Sequence, residues 1–372
     1  MKIALVHDQL QEFGGAERVL VALKKIFPAA DVFTSFYNPV TLGVNNRHFK
    51  NWKIDTSWAD KLPLMKKLHS PLRFIIPWVW ESFDFTDYDL VISSSGSYMS
   101  KGIITRPEAL HICYLHHQPR YLYFYQTAIE WQKYLPVKIY GHLINHGLRQ
   151  WDYISSQRVD YFIANSEETK RRIRKFYRRD SSVIYPPVNI PKKIATDYRQ
   201  PNAEYFLTVS RLARAKQIGI LIQAANQMKF DLKIVGSGRD QSYLKSLAGP
   251  TVEFLGNLPD EKLPALFQNA KAFLFSAIDE EFGIAAVEAM GYGLPVITYA
   301  SGGLKETVRH GLNGFLFDEL NPSSLITQIK KLEGLTKNKY LQMRKMARNE
   351  SEKYSFEKFK QQLLKFISKF RN

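Results

Sequence analysis

Two glutamates, Glu280 and Glu288, stand with seven residues between them in the segment Asp279-Glu280-Glu281-Phe282-Gly283-Ile284-Ala285-Ala286-Val287-Glu288. A short apolar run ending at Phe275 precedes them and reads as a strand. Glu280 then falls in a loop at the strand's carboxyl end. Gly283 lets the backbone approach a bound molecule closely. Ile284 opens a helix whose first N–H groups suit a phosphate. Glu288, in the second turn, can accept paired hydroxyls such as those of a ribose. Position alone fits two solvated carboxylates favoured by the helix dipole equally well. The spacing, the Phe282-Gly283 pair and the return through Gly293-Leu294-Pro295-Val296 into a strand favour a binding site.

Gly14-Gly15 lies between an apolar run at 3–7 and a helical pattern at 16–27. It has neither the G-x-G-x-x-G of a dinucleotide turn nor the lysine of a P-loop. Its backbone could meet a phosphate or a sugar, and a tight strand-to-helix turn explains the glycines equally well. His116 ends the run 111–115 beside His117, a place that suits a core residue or strand cap as well as a ligand contact. Asp87-Tyr88-Asp89 has the spacing of a carboxylate metal motif, but the strand 90–94 follows at once. These carboxylates therefore lie at a strand's amino end, whereas ligands of parallel sheets bind at carboxyl ends. No metal site is assigned there or elsewhere. Ser93-Ser94-Ser95-Gly96-Ser97 lies at the correct end to shape an acceptor cleft.

The elements that must carry these residues come in two series. Runs at 3–7, 32–36, 90–94, 111–115 and 161–164 read as buried strands, with room for helical crossovers between them. The pattern restarts with strands at 205–209, 232–235, 252–255, 272–275 and 295–298, and helices at 218–229, 260–269 and 284–292. Pro186, Pro187 and Pro191 between the series can continue neither a helix nor a central strand. The expectation is an α/β protein of two Rossmann-like domains facing across a cleft: 1–185, a linker at 186–202, and 203–355. An amphipathic helix at 356–370 is expected to pack back on the first domain.

Composition bounds the function. The chain has 372 residues, 45% apolar and 23% charged, which excludes a disordered or coiled-coil protein. The 52 Lys+Arg against 35 Asp+Glu leave a formal charge of +17, which favours anionic partners. Lone Cys113 allows no internal disulfide and no multi-cysteine zinc cluster. The amino terminus does not read as a signal peptide, and no run approaches the ~20 apolar residues of a spanning helix. The expected location is cytoplasmic, peripheral on the inner face of the cell membrane. Two segments suit an acidic membrane surface: the basic run Lys170 to Arg179, and Trp58 to Trp80 with its mixed aromatic and basic side chains. A solvated helix face and an acceptor groove wall explain them equally. No nucleic-acid module is evident.

The pair Glu280 and Glu288 resembles the paired-glutamate motif of the retaining glycosyltransferases of family 4, which have the GT-B fold. Val209-Ser210-Arg211-Leu212 with Lys216 is similar to that family's arginine–lysine pair, Val235-Gly236-Ser237-Gly238 to its glycine turn, and Gly14-Gly15-Ala16-Glu17-Arg18 to its amino-terminal glycine loop. Trp151-Asp152, Arg158-Val159-Asp160, Ala164-Asn165-Ser166, Tyr185-Pro186-Pro187-Val188 and Cys113-Tyr114-Leu115-His116 with Pro119-Arg120-Tyr121 resemble a subgroup containing bacterial GDP-mannose-dependent mannosyltransferases. One departure is Gln217, where the family usually has glycine after the lysine.

The resemblance implies a metal-independent hexosyltransferase without a cofactor. Its substrates would be a nucleotide-sugar donor, GDP-mannose before a UDP-sugar, and a lipid-linked or nascent polysaccharide acceptor. Arg211 and Lys216 would stabilise the diphosphate as it gains charge in the transition state. Glu288 would hold the ribose, Glu280 the sugar hydroxyls, and Gly283, Ile284 and Gly238 the nucleotide. Gly15 and His116 would act from the first domain, His116 through a hydrogen bond to a hydroxyl or through its carbonyl; His117, where the subgroup often has threonine, is the other histidine that could face the donor. Two other readings remain: a nucleotide-sugar epimerase of similar architecture, and a non-catalytic glycan- or membrane-binding module.

Overall fold

The computed structural model describes residues 1–127, 134–191 and 205–370. Seven parallel strands make the first sheet: β1 Ile3–His7, β2 Asp31–Thr34, β3 Ile54–Thr56, β4 Leu90–Ser95, β5 Leu110–Leu115, β6 Tyr161–Ala164 and β7 Ser181–Val183. Their order is β3-β2-β1-β4-β5-β6-β7. The central strands are buried along their length, as expected where crossover helices cover both faces. Six parallel strands make the second sheet: β8 Tyr205–Val209, β9 Asp231–Val235, β10 Val252–Gly256, β11 Ala270–Phe275, β12 Val296–Tyr299 and β13 Gly314–Phe317. They run in the order β10-β9-β8-β11-β12-β13. Both orders reverse direction beside their first strand, at β1/β4 and at β8/β11. Such switch points open a crevice at the carboxyl ends of the strands.

The chain divides into two units. One contains Met1–Tyr125, Glu130–Pro187 and Gln362–Asn372, and the other Gln126–Ile129 and Val188–Gln361. The expected 186–202 linker straddles the point where the first unit ends, and its residues 192–202 lie outside the described residues. The helix Phe356–Ser368 contributes its last turns to the first unit. There the ring of Tyr161 lies 3.7 Å from that of Phe370 and 6.3 Å from that of Phe366.

Several elements differ from expectation. The strand expected at 32–36 ends at Thr34, because Ser35 N–H turns to the carbonyl of Asp8. The helix expected at 260–269 begins as a 3-10 turn, Asp260–Lys262, and becomes α-helical at Leu263. The edge strands β3, β7 and β13 were not anticipated, since three or four residues carry little periodicity. The 23-residue helix Leu135–Gln157 was also missed. Its buried face is Gly141, Asn145, Leu148, Asp152, Ser155 and Ser156, mostly small or polar, so no apolar stripe marks the side that packs.

Candidate active site

The second unit gathers its predicted residues around the β8/β11 switch point. The loop after β8 carries Arg211, which is exposed. The glycine turn after β9 holds that loop backbone to backbone. Leu212 N–H donates to Ser237 O at 2.8 Å, and Asp240 N–H to Leu212 O at 3.1 Å. A Cβ at Gly236, where φ is +128°, would lie 1.9 Å from Ser210 O, and one at Gly238 would lie 2.2 Å from Leu212 O. These two positions exclude any side chain. Gly238, expected to face a nucleotide, is thus also the clamp that fixes the Arg211 loop.

Lys216 closes a 3-10 turn, Arg214–Lys216, ahead of the helix Ile218–Met228. Its Nζ lies 2.5 Å from Glu280 Oε2, with both side chains mostly enclosed, and 5.2 Å from the centre of the Phe275 ring. Glu280 follows β11 in the loop that the sequence assigned to it. An ammonium has three N–H donors, and this ion pair uses one of them. Gln217 sits at φ +50°, ψ +33°. This left-handed conformation explains why glycine is the usual residue there, and Gln217 occupies it at a steric cost.

Gly283 has φ +88° and caps the helix Ile284–Gly291. Its carbonyl accepts from the N–H groups of Ala286 and Val287, while helix geometry gives the N–H groups of Gly283, Ile284 and Ala285 no intrahelical partner. Glu288 is half-buried, one turn beyond Ile284 on the same face. Its charge, after burial, helps raise the Tyr292 hydroxyl above its ordinary pKa. The Glu280 loop is held by a second glycine pair that sequence reasoning passed over. Gly303 N–H donates to Glu280 O at 2.8 Å, and Asp279 N–H to Ser301 Oγ at 2.9 Å. A Cβ at Gly302, φ +57°, would lie 2.0 Å from Glu280 O, and one at Gly303 would lie 2.1 Å from Glu281 O. The available signal was a Gly-Gly pair separated from the end of a strand by two residues.

The first unit builds a second arrangement at the β1/β4 switch point. Gly15 starts the helix Gly15–Ile26 behind Gly14, whose N–H donates to Glu17 Oε2 at 2.7 Å. Glu17 Oε1 faces His7 Nε2 at 3.4 Å. His7 Nδ1 meets Ser94 Oγ at 3.0 Å, and the same hydroxyl meets His116 Nε2 at 2.7 Å. All four side chains are buried. Burial pushes the Glu17 carboxyl up, but the His7 contact and backbone N–H groups outweigh it, so its pKa lies below the usual carboxylate range. The His116 carbonyl accepts from Asn165 Nδ2 at 2.9 Å, so His116 is oriented from two sides. Its neighbour His117 turns Nδ1 to Gln118 O at 2.9 Å. Asp8 accepts from the N–H groups of Gly96, Tyr98 and Ser100 and so ties down the loop after β4. His7 and Asp8 were not singled out from the sequence, and Ser94 only as part of a serine run, because a polar residue ending a strand has no distinctive spacing.

Residues 13–191 match the family described as Glycosyltransferase Family 4, and residues 191–350 the one described as Glycosyl transferases group 1. The two matches abut and leave only short ends uncovered. The chain thus consists of a Glycosyltransferase Family 4 region followed by a Glycosyl transferases group 1 region. It is 34% identical to an uncharacterized glycosyltransferase of Methanocaldococcus jannaschii over 34% of this chain and 35% of that one. It is 27% identical to the human alpha-1,3/1,6-mannosyltransferase ALG2 over 57% of this chain and 59% of that one. The matched part is thus about a third of the first of these curated relatives and under two thirds of the second. The crystal structure of Anabaena Alr3699/HepE in complex with UDP and glucose aligns over 99% of both chains at a TM-score of 0.74 and 22% identity. That likeness fixes the fold as two Rossmann-like domains of the GT-B type.

Other residues of the chain that carried a functional expectation are engaged structurally. Asp87 pairs with Lys2 at 3.1 Å and Asp89 with Arg106 at 2.7 Å, at the amino end of β4. In the basic run, Lys170 and Arg171 pair with Glu167 and Glu168, Arg172 is buried against Glu168, and Arg179 donates to the carbonyls of Ser156, Gln157, Val159 and Asp160. The helix Glu167–Tyr177 starts at the carboxyl end of β6 and runs back, so Arg174, Arg178 and Arg179 lie toward the sheet's opposite edge. Asp152, expected only as a subgroup feature, forms an ion pair with Lys101 at 2.6 Å, both side chains 0% exposed.

Proposed function

We propose that this protein moves a hexosyl group from a nucleoside-diphosphate sugar to an acceptor hydroxyl, with retention at the anomeric carbon and without a metal. The observation that carries this reading is the Lys216–Glu280 pair, set on adjacent loops at the β8/β11 switch point. Arg211 and Lys216 neutralise the departing diphosphate, and the N–H groups of Gly283 and Ile284 add to that positive field. Glu288 holds the ribose hydroxyls, Glu280 both fixes Lys216 and orients the sugar, and Gly238 shapes the nucleotide loop. Gly15 and His116 contact the transferred sugar. The bond from anomeric carbon to diphosphate breaks, the acceptor oxygen bonds to the same face, and the acceptor's proton passes to the leaving diphosphate. No carboxylate base is required.

The donor is GDP-mannose in this reading, supported by the 27% identity to a human mannosyltransferase. Donor turnover is expected with GDP-mannose ahead of UDP-glucose, UDP-galactose and UDP-N-acetylglucosamine, followed by release of nucleoside diphosphate. Preference for a UDP-sugar would reassign the donor and keep the reaction. Epimerised donor in the absence of acceptor would replace transfer by epimerisation.

The acceptor in this reading is lipid-linked, and the first domain meets its membrane. Two stretches, 61–80 and 134–151, contain no Asp or Glu but carry Lys61, Lys66, Lys67, Arg73, Lys138 and Arg149. Tyr140 Oη donates to Pro71 O at 2.5 Å and Arg73 Nε to Asn145 Oδ1 at 3.0 Å, which joins the two stretches. Leu135, Ile139 and Leu143 form an i, i+4, i+8 stripe opposite buried Gly141, Asn145 and Leu148, and Leu143 is 71% exposed. An outward apolar stripe ringed by cations suits an anionic bilayer. Co-sedimentation with phosphatidylglycerol vesicles is expected. It should weaken at least tenfold in the double variant Ile139→Ser, Leu143→Ser and on phosphatidylcholine alone. Equal binding by variant and parent would remove this surface from the account.

A further inference from the structure

The chain Glu17–His7–Ser94–His116 has a direction. Glu17 Oε2 already accepts the Gly14 N–H, and its carboxylate has no proton to give. His7 Nε2, facing Oε1, must therefore be the donor of that pair. In a neutral His7 this leaves Nδ1 as an acceptor, and the Ser94 hydroxyl supplies its proton there. The Ser94 oxygen is then the acceptor for His116, whose Nε2 carries the proton. Each hydrogen bond fixes the next because a serine hydroxyl has a single hydrogen.

We infer that Glu17 and His7 act through Ser94 as positioning residues that lock His116 in its Nε2–H tautomer, so that its unprotonated Nδ1 can accept a hydrogen bond from a hydroxyl of the transferred sugar. This rests on the reading of His116 as a sugar contact. It assigns new roles to three residues, none of which needs to touch the substrate. The relay occupies the β1/β4 switch point, with His7 ending β1 and Ser94 its register partner in the last pair of the β1/β4 ladder. Glu17 serves two partners at once, one at each oxygen.

The substitution Glu17→Gln reverses the relay without removing a contact. The amide oxygen must stay on the Gly14 N–H, so the amide nitrogen turns to His7 and donates to Nε2. His7 then protonates at Nδ1 and donates to Ser94, which donates to His116 Nε2, and the proton of His116 moves to Nδ1. Nitrogen-15 NMR of histidine-labelled full-length protein reads this directly, because protonated and bare ring nitrogens resonate far apart. The expected result is Nε2–H at His116 in the parent, Nδ1–H in Glu17→Gln, and a loss of about tenfold in kcat/KM for donor turnover, the size of one hydrogen bond. On a Ser94→Ala background, Glu17→Gln should cause no further loss.

A His7 carrying both protons in the parent, a His116 already protonated at Nδ1, or an unchanged His116 tautomer in Glu17→Gln overturns the relay. Additive losses in the Ser94→Ala background do the same. If His116→Ala leaves donor turnover unchanged, the sugar contact fails, while the NMR result still decides the relay.

Discussion

Lys216→Ala is expected to slow sugar transfer by about two to three orders of magnitude, or about 3–4 kcal/mol of lost transition-state stabilisation. The diphosphate gains negative charge as the glycosidic bond breaks, so a cation fixed beside it binds the transition state better than the ground state. Lys216 is fixed: its Nζ is held by Glu280, and its carbonyl accepts from Ser276 Oγ at 2.9 Å. The fold should persist, because the lysine side chain keeps 18% of its surface exposed and the Glu280 left behind can be hydrated. Single-turnover transfer and thermal unfolding on the same preparation check both halves. A tenfold or smaller loss with an unchanged melting temperature would remove Lys216 from the reaction. Arg211→Ala should act in the same direction.

The second large effect is on stability. Lys101 and Asp152 are fully enclosed, and their hydrogen bonds are complete. Lys101 Nζ donates to Asp152 Oδ1, to its carbonyl at 2.9 Å and to Ser155 Oγ at 2.9 Å. Asp152 Oδ2 accepts from the Tyr123 hydroxyl at 2.6 Å. The surrounding interior pushes the buried His111 imidazole down to about 3, first through burial and then through Lys101, so His111 stays neutral at physiological pH. Asp152→Ala leaves an ammonium in a site that water does not reach and is expected to cost about 3–5 kcal/mol. That is a large share of the roughly 5–15 kcal/mol that holds a typical domain together. Replacing both partners by Met and Leu should recover most of the loss, since desolvation then disappears with the charges. Urea midpoints of the single and double variants decide it, and a single variant within 1 kcal/mol of the parent would contradict the account.

The fold and half of the site were legible because parallel sheets write themselves as apolar runs. Ile3–His7, Leu90–Ser95 and Tyr205–Val209 are continuous and buried, and the residues just past their carboxyl ends could be placed before any coordinates. The glutamate loop and Lys216 came from that logic together with the family resemblance. Gln217 marked a departure that proved to be conformational: its left-handed backbone is what a glycine would relieve. The relay was not legible, since Glu17, His7, Ser94 and His116 come from four separate stretches brought together only by the order of β1, β4 and β5. The Gly302-Gly303 support was hidden for a similar reason, because its importance lies in the carbonyl of Glu280 that a side chain would strike. The basic run at 170–179 suited a solvated helix face and an acidic surface alike, and charge alone did not choose between them. Its side chains largely close a helix end and pair with neighbouring glutamates.

The central claim is that the carboxyl edge of the second sheet is a nucleoside-diphosphate site. Titration calorimetry of GDP and UDP into the parent protein, Glu288→Ala and Lys216→Ala tests it most directly. The account predicts saturable binding of at least one nucleotide by the parent, weakened tenfold or more in each variant. Parent protein that binds neither nucleotide, or variants that bind as tightly as the parent, would contradict it.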